Sequence, residues 1–250
     1  MKHYVLTRSA YDPKAWGIDA NRRRLAVTRA VTVPSMAAQQ ADFTWLVLID
    51  PEDSMRDQRI EVFRSSGKPV IPIVWRYQGE PEHARWDRRT RARSRLVERM
   101  AAMAYRAPWR DYMEGGRRIL QTRLDDDDAL APDAMLRYQQ AAASVNRRQI
   151  LMLSEGVRVY RGRYNDVTHD RNAMHTLVTL DGDPLCVYDY GHAVCHRTVP
   201  VRIVDRETGW LWVRHEDTIS GWKRDHPYVI SDALRGRFPI DWPALEASWR

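Results

Sequence analysis

The chain has 250 residues, 44% of them hydrophobic, with 10 Trp, 11 Tyr and a formal net charge of +7. That is enough to build one α/β domain with a full core, and no stretch approaches the roughly 18 apolar residues of a membrane span. Only two cysteines, Cys186 and Cys195, are present, which excludes a disulfide framework or an all-cysteine zinc cage and gives the expectation of a reducing, cytoplasmic home.

The positive charge is concentrated. Between Arg85 and Arg118 stand 11 arginines against Asp87, Glu98, Asp111 and Glu114, so this segment carries the whole +7 and the remainder sums to zero. Only four basic residues are lysines, an arginine bias that genome composition alone can produce.

In chain order, His3–Leu6 reads as a first strand and lacks the apolar core of a secretory leader. Asp19 or Asn21 caps a helix over 22–40, with Ala26, Ala30, Val33 and Ala37 at helical spacing and Pro34 kinking or splitting it. Phe43–Ile49 is a continuous apolar strand of the kind buried on both faces of a parallel sheet, and it ends in Asp50. A short helix over 55–65 leads to a strand over 70–75, whose prolines place it at an edge. A basic helix spans 87–105, with Val97, Met100, Ala101 and Ala104 as its buried stripe. After Gly115-Gly116, a strand over 118–124 runs into four consecutive aspartates, Asp125 to Asp128, and Pro132 opens a helix over 132–144. Beyond Gln149 the pattern predicts strands over 149–153 and 156–164, paired as a hairpin. A second hairpin, 176–180 with 185–188, turns at Asp181-Gly182-Asp183, and Trp210–Val213 forms a further strand. The alternation gives an α/β fold: a mixed, mostly parallel central sheet flanked by helices, with an antiparallel C-terminal part.

The acidic run sets the chemistry. Two unit charges about 5 Å apart interact by roughly 3 kcal/mol at an effective dielectric of about 20, so four aspartates at a strand end need a counter-charge, for which a divalent metal is the usual choice. A solvated acidic loop is the bland alternative; the strand before the run and the helix after it favour a site. Alternation along a strand puts Asp125 and Asp127 on one side and Asp126 on the other. In open α/β sheets ligands bind at the C-terminal edge, which makes Thr7, Arg8 and Asp50 candidates to meet a nucleotide. Arg123 either binds phosphate or pairs with an aspartate of the run.

The stretch Thr122-Arg123-Leu124-Asp125-Asp126-Asp127-Asp128-Ala129-Leu130 resembles the signature of the rhamnosyltransferase family of GT-A-fold nucleotide-sugar glycosyltransferases. Arg22–Arg29, Thr32-Val33-Pro34-Ser35-Met36, the strand 43–50 and Trp210-Leu211-Trp212-Val213-Arg214-His215 fit the same pattern, and the match covers roughly residues 1–220. The resemblance implies one glycosyltransferase domain over 1–250, with a nucleotide-sugar-binding half (1–148) and an acceptor-side half (149–250). It implies Mn²⁺ or Mg²⁺ at Asp125, Asp127 and His215, with Asp127 the direct ligand and Asp125 supporting ribose or metal. Asp125, Asp126, Arg123, Thr7, Arg8 and Asp50 then form the donor site for a nucleoside-diphosphate sugar. An inverting transfer needs a group to take the acceptor's proton, and Glu216 and Asp217 are the candidates.

The family name implies a saccharide acceptor. The basic segment, with Trp86, Tyr105, Trp109 and Tyr112 among its arginines, suggests DNA carrying a hydroxymethylated base instead, because arginines track phosphates and aromatics stack bases. Arg88, Arg89, Arg91 and Trp109 are the acceptor-side candidates on either reading. A metal-dependent phosphohydrolase or nuclease is the competing class; such sites usually draw carboxylates from several strands, whereas this chain gathers them in one run.

Overall fold

The structure, a computed structural model, describes residues 1–9, 13–75, 108–170, 172–183, 185–188, 199–215 and 227–249. Four parallel strands, β1 (Lys2–Arg8), β2 (Thr44–Ile49), β3 (Val70–Val74) and β4 (Arg118–Arg123), lie in the order β3-β2-β1-β4. Because β2 and β3 lie on one side of β1 and β4 on the other, the strand order reverses between β1 and β4. A crevice opens at such a switch point at the strands' C-terminal ends.

β2 explains why the sheet is buried on both faces. Trp45, Val47 and Ile49 enter one apolar cluster, while Leu46 and Leu48 enter another on the opposite side. Each fully buried side chain of this size contributes about 1.5–3 kcal/mol relative to exposure. β3 is the edge strand that its prolines require.

On the helical side, α1 (Pro13–Val27) is interrupted at Gly17, where φ is 72°. A π turn, Thr28–Thr32, joins α1 to α2 (Val33–Ala37), and Pro34 sits in the first turn of α2, where its missing N–H removes no helical bond. The helix expected over 22–40 therefore starts earlier and divides just before the proline. After β2 comes α3 (Arg56–Arg64). The basic helix expected over 87–105 lies outside the described residues.

The larger sheet continues past β4 through β9 (Thr176–Leu180), β6 (Gln149–Met152) and β10 (Val201–Ile203). β9 runs antiparallel to both its neighbours, and β10 parallel to β6. A second sheet has the order β12-β8-β7-β11-β5, where β5 is Ala129–Leu130, β7 Glu155–Tyr160, β8 Arg163–Thr168, β11 Trp210–Val213 and β12 Tyr228–Val229. Two expected hairpins are corrected here. β6 and β7 belong to different sheets; β7 pairs instead with β8 through Arg161-Gly162, both at positive φ, the geometry of a two-residue turn. β9 has β4 and β6 on its two edges, so 185–188 forms no strand with it; the Gln121 amide holds that segment through Leu185 O and Val187 N–H.

Asp125–Asp128 thus connects the two sheets, running from the end of β4 to the start of β5. Behind the second sheet, Val157, Val159, Leu211 and Val213 pack with Val27, Val31 and residues of two C-terminal helices, Asp232–Arg237 and Trp242–Ala247. No helix among the described residues is long and apolar enough to cross a membrane.

Candidate active site

The backbone places the acidic run before any side chain acts. Leu124 N–H donates to Leu6 O at 3.1 Å, so the run leaves the sheet at the β1–β4 crevice. The strand alternation expected for the run does not persist. The chain turns at Asp126–Asp127, with Asp128 N–H donating to Asp125 O at 3.4 Å, and this turn divides the four carboxylates among separate environments.

Asp126 points inward and is 1% exposed. It accepts from Ser9 Oγ at 2.7 Å and from Arg24 Nη2 at 2.9 Å, and Arg59 Nη1 lies 3.9 Å away. Arg59 also donates to Asp53 at 2.7 Å and to Ser9 Oγ at 3.0 Å. Two buried guanidiniums and two buried carboxylates are therefore stitched through one hydroxyl. Such a set is tolerated only when every partner is present, since an isolated buried charge is costly.

Asp127 shares Arg24, at 3.3 Å, and its Oδ2 lies 3.1 Å from His215 Nε2. Burial alone would raise its pKa; Arg24 and His215 outweigh burial and hold it well below the usual carboxylate range. Asp128 has the opposite balance. Burial, then the charges of Asp127 and Asp125, push its pKa well above normal, although Val213 N–H donates to it at 3.1 Å.

Asp125 is the outward member, with a side chain 29% exposed. Arg8 stands 3.6 Å and Arg123 3.5 Å from its Oδ1. Both guanidiniums also lie over the Tyr188 ring, at 5.4 and 5.1 Å, and Trp109 stacks on that ring's plane at 5.4 Å. The counter-charge that the sequence assigns to a divalent ion is thus supplied in large part by guanidiniums.

The structure brings together Arg8, Arg123, Asp125, Asp126, Asp127 and His215 from the sequence-predicted set. Thr7 is not at the edge: it is fully buried, and its hydroxyl accepts from the Trp45 indole at 2.9 Å. Asp50 caps the turn after β2 by accepting from Glu52 N–H at 2.8 Å. Trp109 is 1% exposed and committed to Tyr188, so its ring has no face to offer an acceptor. Arg88, Arg89, Arg91, Glu216 and Asp217 lie outside the described residues. Sequence reasoning missed Ser9, Arg24 and Arg59. No local signal marks them; Arg24 reaches Asp126 across 102 residues and Arg59 reaches Ser9 across 50.

The residues present were tested against a divalent ion. Among the described residues no group of three or more His, Cys, Asp or Glu side chains could hold one. Asp127 Oδ2 and His215 Nε2, 3.1 Å apart, match adjacent corners of an octahedron with bonds of about 2.1 Å, whose edge is about 3.0 Å. Two protein donors fit the way Mg²⁺ and similar ions are held, with substrate phosphates completing the shell.

Several solved structures share the general arrangement. They include TarS 1–349 of S. aureus (10% identity, 85% of this chain and 60% of that chain, TM-score 0.43). The inositol-1-phosphate CTP transferase of T. maritima is similar (10%, 84% and 89%, 0.41), as is mouse xyloside xylosyltransferase 1 (11%, 80% and 70%, 0.40). The chain spans 60% of the TarS fragment's length. No curated protein matches the sequence. The fold is α/β, with a mostly parallel sheet flanked by helices. Residues 82–226, more than half of the chain, match the model of the family described as "Putative rhamnosyl transferase", and the protein belongs to that family of glycosyltransferases.

Proposed function

We propose that this glycosyltransferase takes a sugar from a nucleoside-diphosphate sugar and places it on an acceptor hydroxyl, with Asp127 and His215 at the centre of the site. The observation that carries the reading is their 3.1 Å approach beside the β1–β4 crevice. Asp127 comes from the end of one sheet and His215 from the end of a strand in the other, which is hard to explain by packing alone. These two residues would hold Mn²⁺ or Mg²⁺. When bound, the ion would neutralise charge developing on the departing diphosphate.

The other roles fall to this chain's own side chains. Arg24 keeps Asp127 ionised and fixes its orientation. Asp125, partly exposed and held by Arg8 and Arg123, is placed to accept hydrogen bonds from donor ribose hydroxyls. Glu216 and Asp217 follow His215 directly and remain the candidates to take the acceptor proton. We read the acceptor as a saccharide, in line with the family description. The DNA reading has lost Trp109, which is buried against Tyr188.

Incubation with Mn²⁺ and a panel of nucleoside-diphosphate sugars, rhamnose donors first, tests this. Slow release of free nucleoside diphosphate from one donor is the expected result. Release from none, or cleavage of phosphodiesters instead, would overturn the proposal, and retention on DNA at low salt with steep loss on added salt would replace the acceptor.

A further inference from the structure

Arg214 lies between β11 and His215 and is held more firmly than its role so far explains. Its N–H donates to Val159 O at 2.9 Å, and its carbonyl accepts the Trp249 indole N–H at 2.9 Å. Its guanidinium rests over the Trp212 ring, with Cζ 5.3 Å from the centroid, a cation–π perch that restricts a long side chain. Among the described residues the guanidinium makes no hydrogen bond and no ion pair, and its Nε is buried without a partner. Its charge still reaches the acidic run, favouring the ionised forms of Asp127 and Asp128.

A fixed, partly desolvated guanidinium with unused donors is poised for an anion. Its planar fork suits phosphate or carboxylate oxygens. The two sources available are the donor's diphosphate and an anionic acceptor. Position favours the first. Val213 N–H donates to Asp128 and His215 meets Asp127, so Arg214 is set between two contacts with the acidic run.

We propose that Arg214 is a phosphate-binding residue of the donor site, and that Trp212 is its perch. The proposal rests on the donor reading given above. Negative charge grows on the diphosphate as the glycosidic bond breaks. A donor group already in place stabilises that charge without reorganising at the moment of reaction.

The test is calorimetric titration of the whole protein, in EDTA and then in Mn²⁺, with UDP, dTDP, GDP, CDP and ADP and with the matching nucleosides. Arg214→Gln is expected to weaken the preferred diphosphate at least tenfold in both buffers while leaving its nucleoside unchanged. Arg214→Lys recovers part of the loss, and Arg206→Gln, at an exposed position, changes nothing. Circular dichroism melts confirm that each variant is folded. Equal weakening of nucleoside and diphosphate would reduce Arg214 to a structural role and overturn the proposal. So would unchanged diphosphate binding, which leaves the donor reading intact. In a parallel titration with glucuronate, an anionic saccharide, loss of its binding in Arg214→Gln with diphosphate spared would assign the anion to the acceptor and overturn the proposal as well. If the wild type binds no diphosphate, the donor reading falls and this one falls with it.

Discussion

The two sides of the acidic run are built from the same residue type and do opposite work. On the inward side, Asp126 sits with Ser9, Arg24, Arg59 and Asp53, fully enclosed. On the outward side, Asp125 is partly exposed beside Arg8 and Arg123, and Asp127, itself buried, meets His215, with Arg214 nearby. The inward set is enclosed, although it shares Arg24 with Asp127 and keeps Arg59 Nη2 without a hydrogen-bond partner. The outward set is incompletely closed: Asp125 is partly exposed, Asp127 shares one oxygen between two partners, and Arg214 has donors to spare. Adjacent aspartates are thus divided between an enclosed set and a less enclosed one by the turn at Asp126–Asp127, where Asp128 N–H donates back to Asp125 O at 3.4 Å.

Substitutions should separate the two. The largest loss of stability is expected from Asp126→Ala, which strands Arg24 and Arg59 without their shared carboxylate. Removing one member of a buried ion pair costs about 3–5 kcal/mol, and urea unfolding of the variant measures it. A cost below about 1 kcal/mol would mean that the inward set is no foundation. Asp127→Asn should do the reverse, changing unfolding free energy by less than about 1.5 kcal/mol while lowering Mn²⁺ affinity and turnover by about 100-fold or more. Manganese electron paramagnetic resonance reads the binding directly, and unchanged Mn²⁺ affinity would remove Asp127 from the metal site.

Two pH predictions follow from the same environments. His3 is buried against Thr122, its Nε2 2.7 Å from Oγ1, and burial pushes its pKa down to about 3. An unfolded histidine titrates near 6.5, so the unfolded state binds the extra proton first. Stability is full above about pH 6.5 and falls as pH drops toward 3. His3→Gln should flatten that limb in melts taken between pH 4 and 7; an unaltered slope would mean that other groups govern it. The smallest effect belongs to Asp128, whose pKa burial and neighbouring carboxylates raise. Here folding holds the proton more tightly, so stability declines as pH rises from the unfolded value of about 3.9 through the folded one. Asp128→Asn removes that decline, and the melting temperature at pH 7 should rise by a degree or two. A lower melting temperature would show that the carboxylate is needed ionised.

The first sheet was readable because its strands announce themselves. β2 has an unbroken apolar run with both faces buried, and β4 ends in the aspartates themselves. His215 was readable too, from its place after the Trp-Leu-Trp-Val strand. The second sheet was not. β7 and β8 are joined by a two-residue turn inside what reads as one strand, and β5 is two residues long. The inward network was hidden for a different reason. Arg24 is one of three consecutive arginines, and nothing local distinguishes the one that turns inward; its partner is set by the tertiary fold. The C-terminal helices carried usable signals that went unread. Ser231 and Asp241 cap them, accepting from Leu234 and Ala244 N–H, and Pro243 follows the second cap closely.

Gly156 leaves room for a large neighbour within the second sheet. It lies opposite Trp210, and an added Cβ would fall 2.0 Å from the indole ring. Trp210 in turn donates to Leu153 O at 2.8 Å.

The five-residue link between β4 and β5, Leu124 to Asp128, makes the site intolerant of insertions. One added residue would draw Asp126 away from Ser9 and Arg24 or Asp127 away from His215, and would push β5 out of register with β11. A chain whose link is longer or shorter would have to rebuild both sheets to keep a site there.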